Sequence, residues 1–370
     1  MVPSHRELGF AEVDSALNPR SSKGSRLRRA GALFPEGMGC LESFSLSRRS
    51  ETLGAKSWPG GPRPSVPRWC ERELQMKLLV EAVGFGIASG AVIALGAVGF
   101  SLQFGMSNIL NITYGAFMTL AGYVGLFLID RHVNEWLALG IAGIVVGATS
   151  ILFNRGLLAP LVRRGTRPFA IVIVTVSAGV ILQYLIVAVM GPDAQTYGSQ
   201  SSRSFQMLGM TLSANQAVII LLALLVMLAL HLLLTRTTLG RAMRATASNR
   251  ILAQSCGIAT DRISDVAWLL SGTLCGMAGV ALAITTVSFD FTLGPLFLIP
   301  MIAAAVLGGI GQPYGAMLGA LVVGVASELA AAFGDPAYKE VVAFLILIVM
   351  LLVRPRGLFG AAWATRRLMA

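Results

Sequence analysis

Nine apolar stretches follow one another, at about 78–104, 107–129, 136–154, 169–190, 216–234, 266–287, 296–311, 313–333 and 341–353, separated by polar joints. Most approach the roughly 20 residues that a helix needs to cross a bilayer. A chain with this pattern cannot close as a soluble globule, because such a globule needs a hydrated surface with about 25% charged residues. Here only 13% of the residues are charged, and 55% are hydrophobic. The richness in Leu, Val, Ile, Ala and Gly suits closely packed membrane helices. The expected fold is an all-α polytopic membrane protein of about eight transmembrane helices, one either way. The last three stretches read either as three spans or as two with a re-entrant break at 308–315.

Charge sets the orientation. From residue 76 onward there are 17 Lys/Arg, and 13 of them fall in 155–168, 235–264 and 354–370. Basic residues accumulate in cytoplasmic loops, so these three segments face inward and the high pI needs no nucleic-acid partner. The joints at 130–135, 191–214, 288–295 and 334–340 face outward. Counting back from 155 places Met76 outside if both early stretches span fully.

Residues 1–75 differ from the rest. They mix Pro, Gly, Ser and Arg without apolar periodicity and carry 12 Lys/Arg against 8 Asp/Glu. Such a segment cannot bury enough surface to offset the entropy of ordering. The expectation is a basic, disordered extension with translation starting physiologically at Met76, ahead of a permease domain over 76–370.

Enzyme chemistry finds little footing. No phosphate-cradling Gly-x-x-x-x-Gly-Lys-Ser/Thr loop occurs, and His5, His132 and His231 are scattered. The four cysteines lack metal-ligand spacing. No catalytic residue, metal or cofactor is expected, so any ATP hydrolysis belongs to another subunit.

The longest basic joint is the most informative. Over 239–258, Leu239, Ala242, Met243, Ala247, Ile251 and Leu252 recur at helical spacing, while Arg241, Arg244, Ser248 and Asn249 lean to the other side. Gly257 stands where a helix C-terminus favours glycine. The pattern predicts one short amphipathic helix at the cytoplasmic face. Anionic lipid is one partner for such a helix. The small side chains of Ala242, Ala245, Ala247 and Ser248 favour docking against protein instead.

At this point the chain resembles a known family, the LivH-type branched-chain amino-acid permeases of ABC importers. The coupling loop of that family is matched by Gly240, Arg241, Ala242, Arg244, Ala245, Ala247, Ala253, Gly257 and Ile258. An early Asn-x-x-x-Gly element is matched by Asn111 to Gly115, a late glycine-rich run by Ala305 to Ala316, and the usual ending by Arg354 to Gly360. Thr113-Tyr114 and Ala116-Phe117 depart from the family's usual residues, which bears on the solute more than on the machinery.

The resemblance implies a division of labour in the inner membrane of a bacterium. A periplasmic binding protein delivers solute, two permease subunits form the path, and two ATP-binding cassette subunits drive it through the 239–258 loop. The expected cargo is a branched-chain or other small amino acid. Polar groups inside apolar stretches are the path candidates, because they are costly there without a partner or cavity. These are Asn108, Asn111, Thr113, Gln183 and Glu328, together with Gly115 of the Asn111 element. Hydrogen bonding between helices is the alternative reading for the amides. The rival function is a stand-alone secondary transporter or channel for small polar solutes such as urea or amides.

Overall fold

The computed structural model describes residues 68–197, 204–207, 210–286, 289–354 and 357–358. The extension as far as residue 67 and the basic tail beyond Leu358 lie outside the described residues. From Met76 onward the chain forms one compact unit.

Twelve helices and one hairpin make up the described chain: α1 (Arg68–Ser107), α2 (Thr113–Asp130), α3 (Glu135–Phe153), α4 (Ala159–Arg163), α5 (Pro168–Met190), β1 (Ser204–Met207), β2 (Met210–Ser213), α6 (Ala214–Arg236), α7 (Thr238–Ser248), α8 (Arg250–Ser255), α9 (Thr260–Thr285), α10 (Leu293–Gly308), α11 (Pro313–Phe333) and α12 (Tyr338–Val353). Seven of the helical stretches are long and apolar enough to cross a membrane, within the range read from the sequence. Helix α10, with 16 residues, is shorter. It rises about 24 Å at 1.5 Å per residue, less than the hydrocarbon core. The α10–α11 connection is a tight hairpin in which Gly308 and Gly315 meet backbone to backbone.

The bundle is held by small residues. Gly143 and Gly147 of α3 face Gly276 and Gly272 of α9. A Cβ placed on Gly276 would lie 2.8 Å from the Gly143 Cα, and one on Gly272 would lie 2.9 Å from the Gly147 Cα. Without a hydrophobic driving force between helices in lipid, such close backbone approach supplies the van der Waals packing. A similar seam joins Gly86 and Gly90 of α1 to the Leu321–Val325 turn of α11, while Gly105 meets Gly311. That pairing runs antiparallel, so α1 begins at the end opposite the cluster of arginines. Tyr114 ties three helices together, its buried hydroxyl lying within hydrogen-bond reach of the carbonyls of Gly96 (3.0 Å) and Ser271 (3.2 Å).

Two irregularities position the functional end. The chain leaves α1 at Asn108, which takes the left-handed conformation at φ +55°. Asparagine tolerates that region better than most residues. The break over 108–112 is secured by Asn108 N donating to Phe104 O at 2.8 Å and Thr113 Oγ1 donating to Thr175 O at 2.5 Å. Non-helical backbone at membrane depth survives only where protein or a cavity surrounds it. The second irregularity is a π turn over Asn154–Leu158, closed by Ala159 N donating to Asn154 O. Pro160 follows at once and supplies no N–H to the preceding turn, so a wider turn suits the site.

At the other end, residues 195 and 289 form an antiparallel bridge with reciprocal 2.8 Å bonds. Buried Phe289 lies there edge-on to both Tyr123 and Tyr197.

Candidate functional site

The joint between α6 and α9 is two helices at an angle, α7 and α8, where the periodicity predicts one. Thr237 caps α7 by accepting from Gly240 N at 3.1 Å. Gly240 is buried against the carbonyls of Leu233 and Leu234, where no side chain fits. Arg244 turns back and donates through Nη1 to Leu234 O, satisfying a terminal carbonyl of α6. Asn249 then interrupts the helix with φ −158° and ψ 106°, and its Oδ1 accepts from Leu252 N at 3.0 Å to start α8. Helix α8 closes in a Schellman turn. Ile258 N donates to Ala253 O at 3.0 Å and Gly257 N to Gln254 O at 2.9 Å, with Gly257 at φ +82°. A glycine there is what the motif requires.

The break resets the helical phase. Met243 and Thr246 of α7 are buried, with Leu239 and Ala245 half-buried, but Arg241, Arg244 and Ala247 are exposed. On α8 only Ala253 is buried, while Ile251 is 77% exposed and Leu252 62%. The single apolar face expected over 239–258 is therefore corrected: Ala247, Ile251 and Leu252 point away from the bundle. Two large apolar side chains stand outward on a short helix capped at both ends.

Ion pairs fasten this joint to the neighbouring helices. Asp261, in the first turn of α9, accepts from Arg250 Nη2 at 2.7 Å and from Arg163 Nη2 at 3.0 Å. Asp265 accepts from Arg155 Nη2 at 2.8 Å and from Asn154 Nδ2 at 3.1 Å. The arginines are solvent-facing, and exposed pairs contribute only about 0–1 kcal/mol each. Their effect is to join two of the three basic segments, 155–168 and 235–264, at one end of the bundle. That is the arrangement the positive-inside reading requires.

The six path candidates fall in different places. Asn111, Thr113 and Gly115 are inside the bundle. Thr113 is held by Thr175, and Gly115 sits against the backbone of Gly294 and Pro295. Gln183 is half-buried and donates through Nε2 to Phe291 O at 3.2 Å. Asn108 is exposed at the mouth of a crevice beside Phe169. Glu328 stands apart, paired with Lys339 at 2.8 Å in the first turn of α12. The lysine, far from Glu328 in a hydropathy reading, comes near only because α11 and α12 form a hairpin.

Besides Asn111, which the sequence singles out, the structure shows buried polar side chains on α1 and α9 that sequence reasoning missed. Asn111 has neither amide atom hydrogen-bonded, and Ser101 Oγ, Gln103 Nε2 and Trp268 Nε1 are likewise unpaired among the described residues. Gln103 Oε1 accepts from Ser271 Oγ at 3.2 Å. Nearly all buried polar groups in native structures find a partner, so unpaired ones call for a role. The only available signal in the sequence was polar residues within apolar stretches, and Gln103 close to Asn111 is one.

Comparison with known proteins adds a separate line of support. Residues 82–351 match the family described as "Branched-chain amino acid transport system / permease component". The probable branched-chain amino acid transport permease protein LivH of Methanocaldococcus jannaschii is 31% identical over 306 residues, covering 78% of this chain and 96% of that protein. The permease protein BraD of Pseudomonas aeruginosa is 31% identical over 295 residues, covering 74% and 94%. LivM of Escherichia coli is 28% identical over 364 residues, covering 85% and 82%.

Proposed function

The chain belongs to the branched-chain amino-acid transport system permease family, and from that premise we propose how its own residues perform the work. It is a multi-pass membrane permease subunit. In our reading it sits in a bacterial inner membrane and imports branched-chain or other small amino acids, paired with a second permease and fed by a periplasmic binding protein. The similarity to both LivH and LivM is what supports a two-permease assembly. ATP hydrolysis is assigned to separate cassette subunits, and transport to residues 76–370.

The observation that carries the coupling assignment is the outward pair Ile251 and Leu252 on α8, at the arginine-rich end. Exposed apolar side chains beside charges suit contact with a protein or a membrane surface, and we take the partner here to be a cassette subunit. An ATPase seated there can move α9 through Arg250–Asp261 and, through Asp261–Arg163, α4. Gly240, Arg241, Arg244, Ala245, Ala247, Gly257 and Ile258 act as the frame that holds α7 and α8 in place. The deciding experiment is reconstitution with and without the cassette subunits. Uptake that requires both ATP and those subunits is the expected result, and uptake by the chain alone in liposomes would replace this reading with a secondary transporter or channel.

For the path, the proposal keeps Asn111, Thr113, Gly115 and Gln183 as a connected wall where α2 meets α5 and α10. Asn108 lies at its arginine-rich end, and Glu328, paired with Lys339 on the α11–α12 hairpin, is kept as a separate path residue. Asn111 gives the sharpest test. An unpaired buried amide costs about 1–3 kcal/mol, and apolar replacements of similar shape recover much of it. Asn111→Leu is therefore expected to raise thermal stability while uptake falls about tenfold or more, read by melting in detergent and by solute counting in vesicles. Unchanged uptake in a stabilised variant would remove Asn111 from the path.

A further inference from the structure

Two adjoining cavities open at the arginine-rich end, and they differ in character. The first, about 710 Å³, is lined by Arg155, Arg163 and Arg250 with Asp261 and Asp265. The second, about 550 Å³, is walled by Phe104, Leu110, Phe169, Ile171 and Val172. They share Ser107, Ile109 and Val162, so one runs into the other. The polar cavity carries three arginines against two aspartates, an excess of one positive charge, and Arg164 and Arg167 lie in the adjacent loop. Each guanidinium has five donors, of which the Asp261 pairs with Arg163 and Arg250 use one apiece.

The apolar cavity begins where α5 enters the membrane. Phe169, in the first turn of α5, is 76% exposed, and Ile173 one turn on is 52% exposed. A basic recess that continues into a mainly apolar crevice beside the first turn of a spanning helix has the shape of an amphiphile. Each cavity is within the ~300–1,000 Å³ that accommodates a drug-sized molecule. A single branched-chain amino acid would leave most of that space empty.

We propose that these cavities together hold an anionic phospholipid. Its phosphate is held by Arg155, Arg163 and Arg250, and one acyl chain lies in the crevice between Leu110 and Phe169. Basic pockets on the cytoplasmic side of membrane helices are suited to such headgroups, and arginine grips phosphate oxygens in a forked geometry. The lipid would bridge the 154–163 connection and α8, both of which the cavity touches. The proposal stands on the cavities alone and does not depend on which solute is moved.

The test is native mass spectrometry of the full chain, purified in mild detergent and offered phosphatidylglycerol and phosphatidylethanolamine with the same acyl chains. Phosphatidylglycerol should be retained at least about tenfold better. The Arg155→Gln/Arg163→Gln variant should lose that preference, whereas Arg131→Gln, at the other end of the bundle, should keep it. If the double variant does not fold, Arg163→Gln alone, whose side chain is 72% exposed, gives the reading through a several-fold weaker preference. Equal retention of both lipids by the unmodified chain would overturn the proposal. So would a preference that survives loss of the arginines, a loss shared equally by Arg131→Gln, or displacement of the lipid by free leucine.

Discussion

Replacing Ile251 and Leu252 together by aspartate is expected to abolish ATP-driven uptake while leaving the chain folded and inserted. Both side chains are mostly exposed, so removing them opens no cavity, and substitutions of this kind usually change stability by less than about 0.5 kcal/mol. At a docking surface the same side chains would be buried by the partner. A hot-spot residue at the centre of an interface costs about 2 kcal/mol or more when truncated, which is about 30-fold in affinity. Introducing charge into a dry contact adds a desolvation penalty. Co-purification of the cassette subunits should fall below detection, and uptake should fall with it. A variant that still binds the ATPase and transports at the original rate would show that α8 is not the docking element.

The largest effect on folding is expected at Gly276→Leu. Any Cβ at that position meets the Gly143 Cα at 2.8 Å, the Ala142 carbonyl at 3.1 Å and Val146 Cβ at 3.1 Å. None of these is the free end of a flexible chain, so α3 and α9 must separate. Overpacking a rigid core costs about 1–3 kcal/mol, and forcing two backbones apart belongs at or above the upper end. The readout is the monodisperse fraction after detergent extraction, expected to fall several-fold. Gly140→Ala is the control on the same helix. Nothing lies within 4 Å of its added Cβ, and alanine favours a helix by up to about 1 kcal/mol, so extraction should be unchanged or improved. Normal behaviour of Gly276→Leu would mean that the seam does not hold the pair together.

What the residues disclosed and what they withheld follow a physical division. Apolar length is a local property, and all nine apolar stretches correspond to helices, from α1 to α12. The second stretch reads from 107, six residues before α2 starts at Thr113, because Asn108 to Ile112 are apolar enough to hide a break made by one left-handed residue. Gly257 was placed correctly because a helix C-cap is also local. Asn249 was not, since an asparagine within a helical pattern reads equally as an exposed residue or as a cap, and only the backbone decides. Taking it for the former puts Ile251 and Leu252 on the same face as Leu239 and Met243. Long-range pairings such as Arg163–Asp261 and Glu328–Lys339 depend on how helices turn back on one another, which no periodicity encodes. The hairpin of β1 and β2, in a joint read only as outward-facing, is of the same kind.

The glycine seam has a mechanical consequence. Where α3 and α9 touch, paired glycines bring the two backbones into direct contact with only short reaches of side chain between them, so the pair behaves as a keel. Helices α5 and α6 are the opposite: both are largely uncovered along their lengths, and α5 is moored at a few points such as Thr175, Gly179 and Gln183. Stiffness is thus distributed unevenly across the bundle. A push delivered at the arginine-rich end is therefore expected to move the α3–α9 pair as one piece relative to α5 and α6.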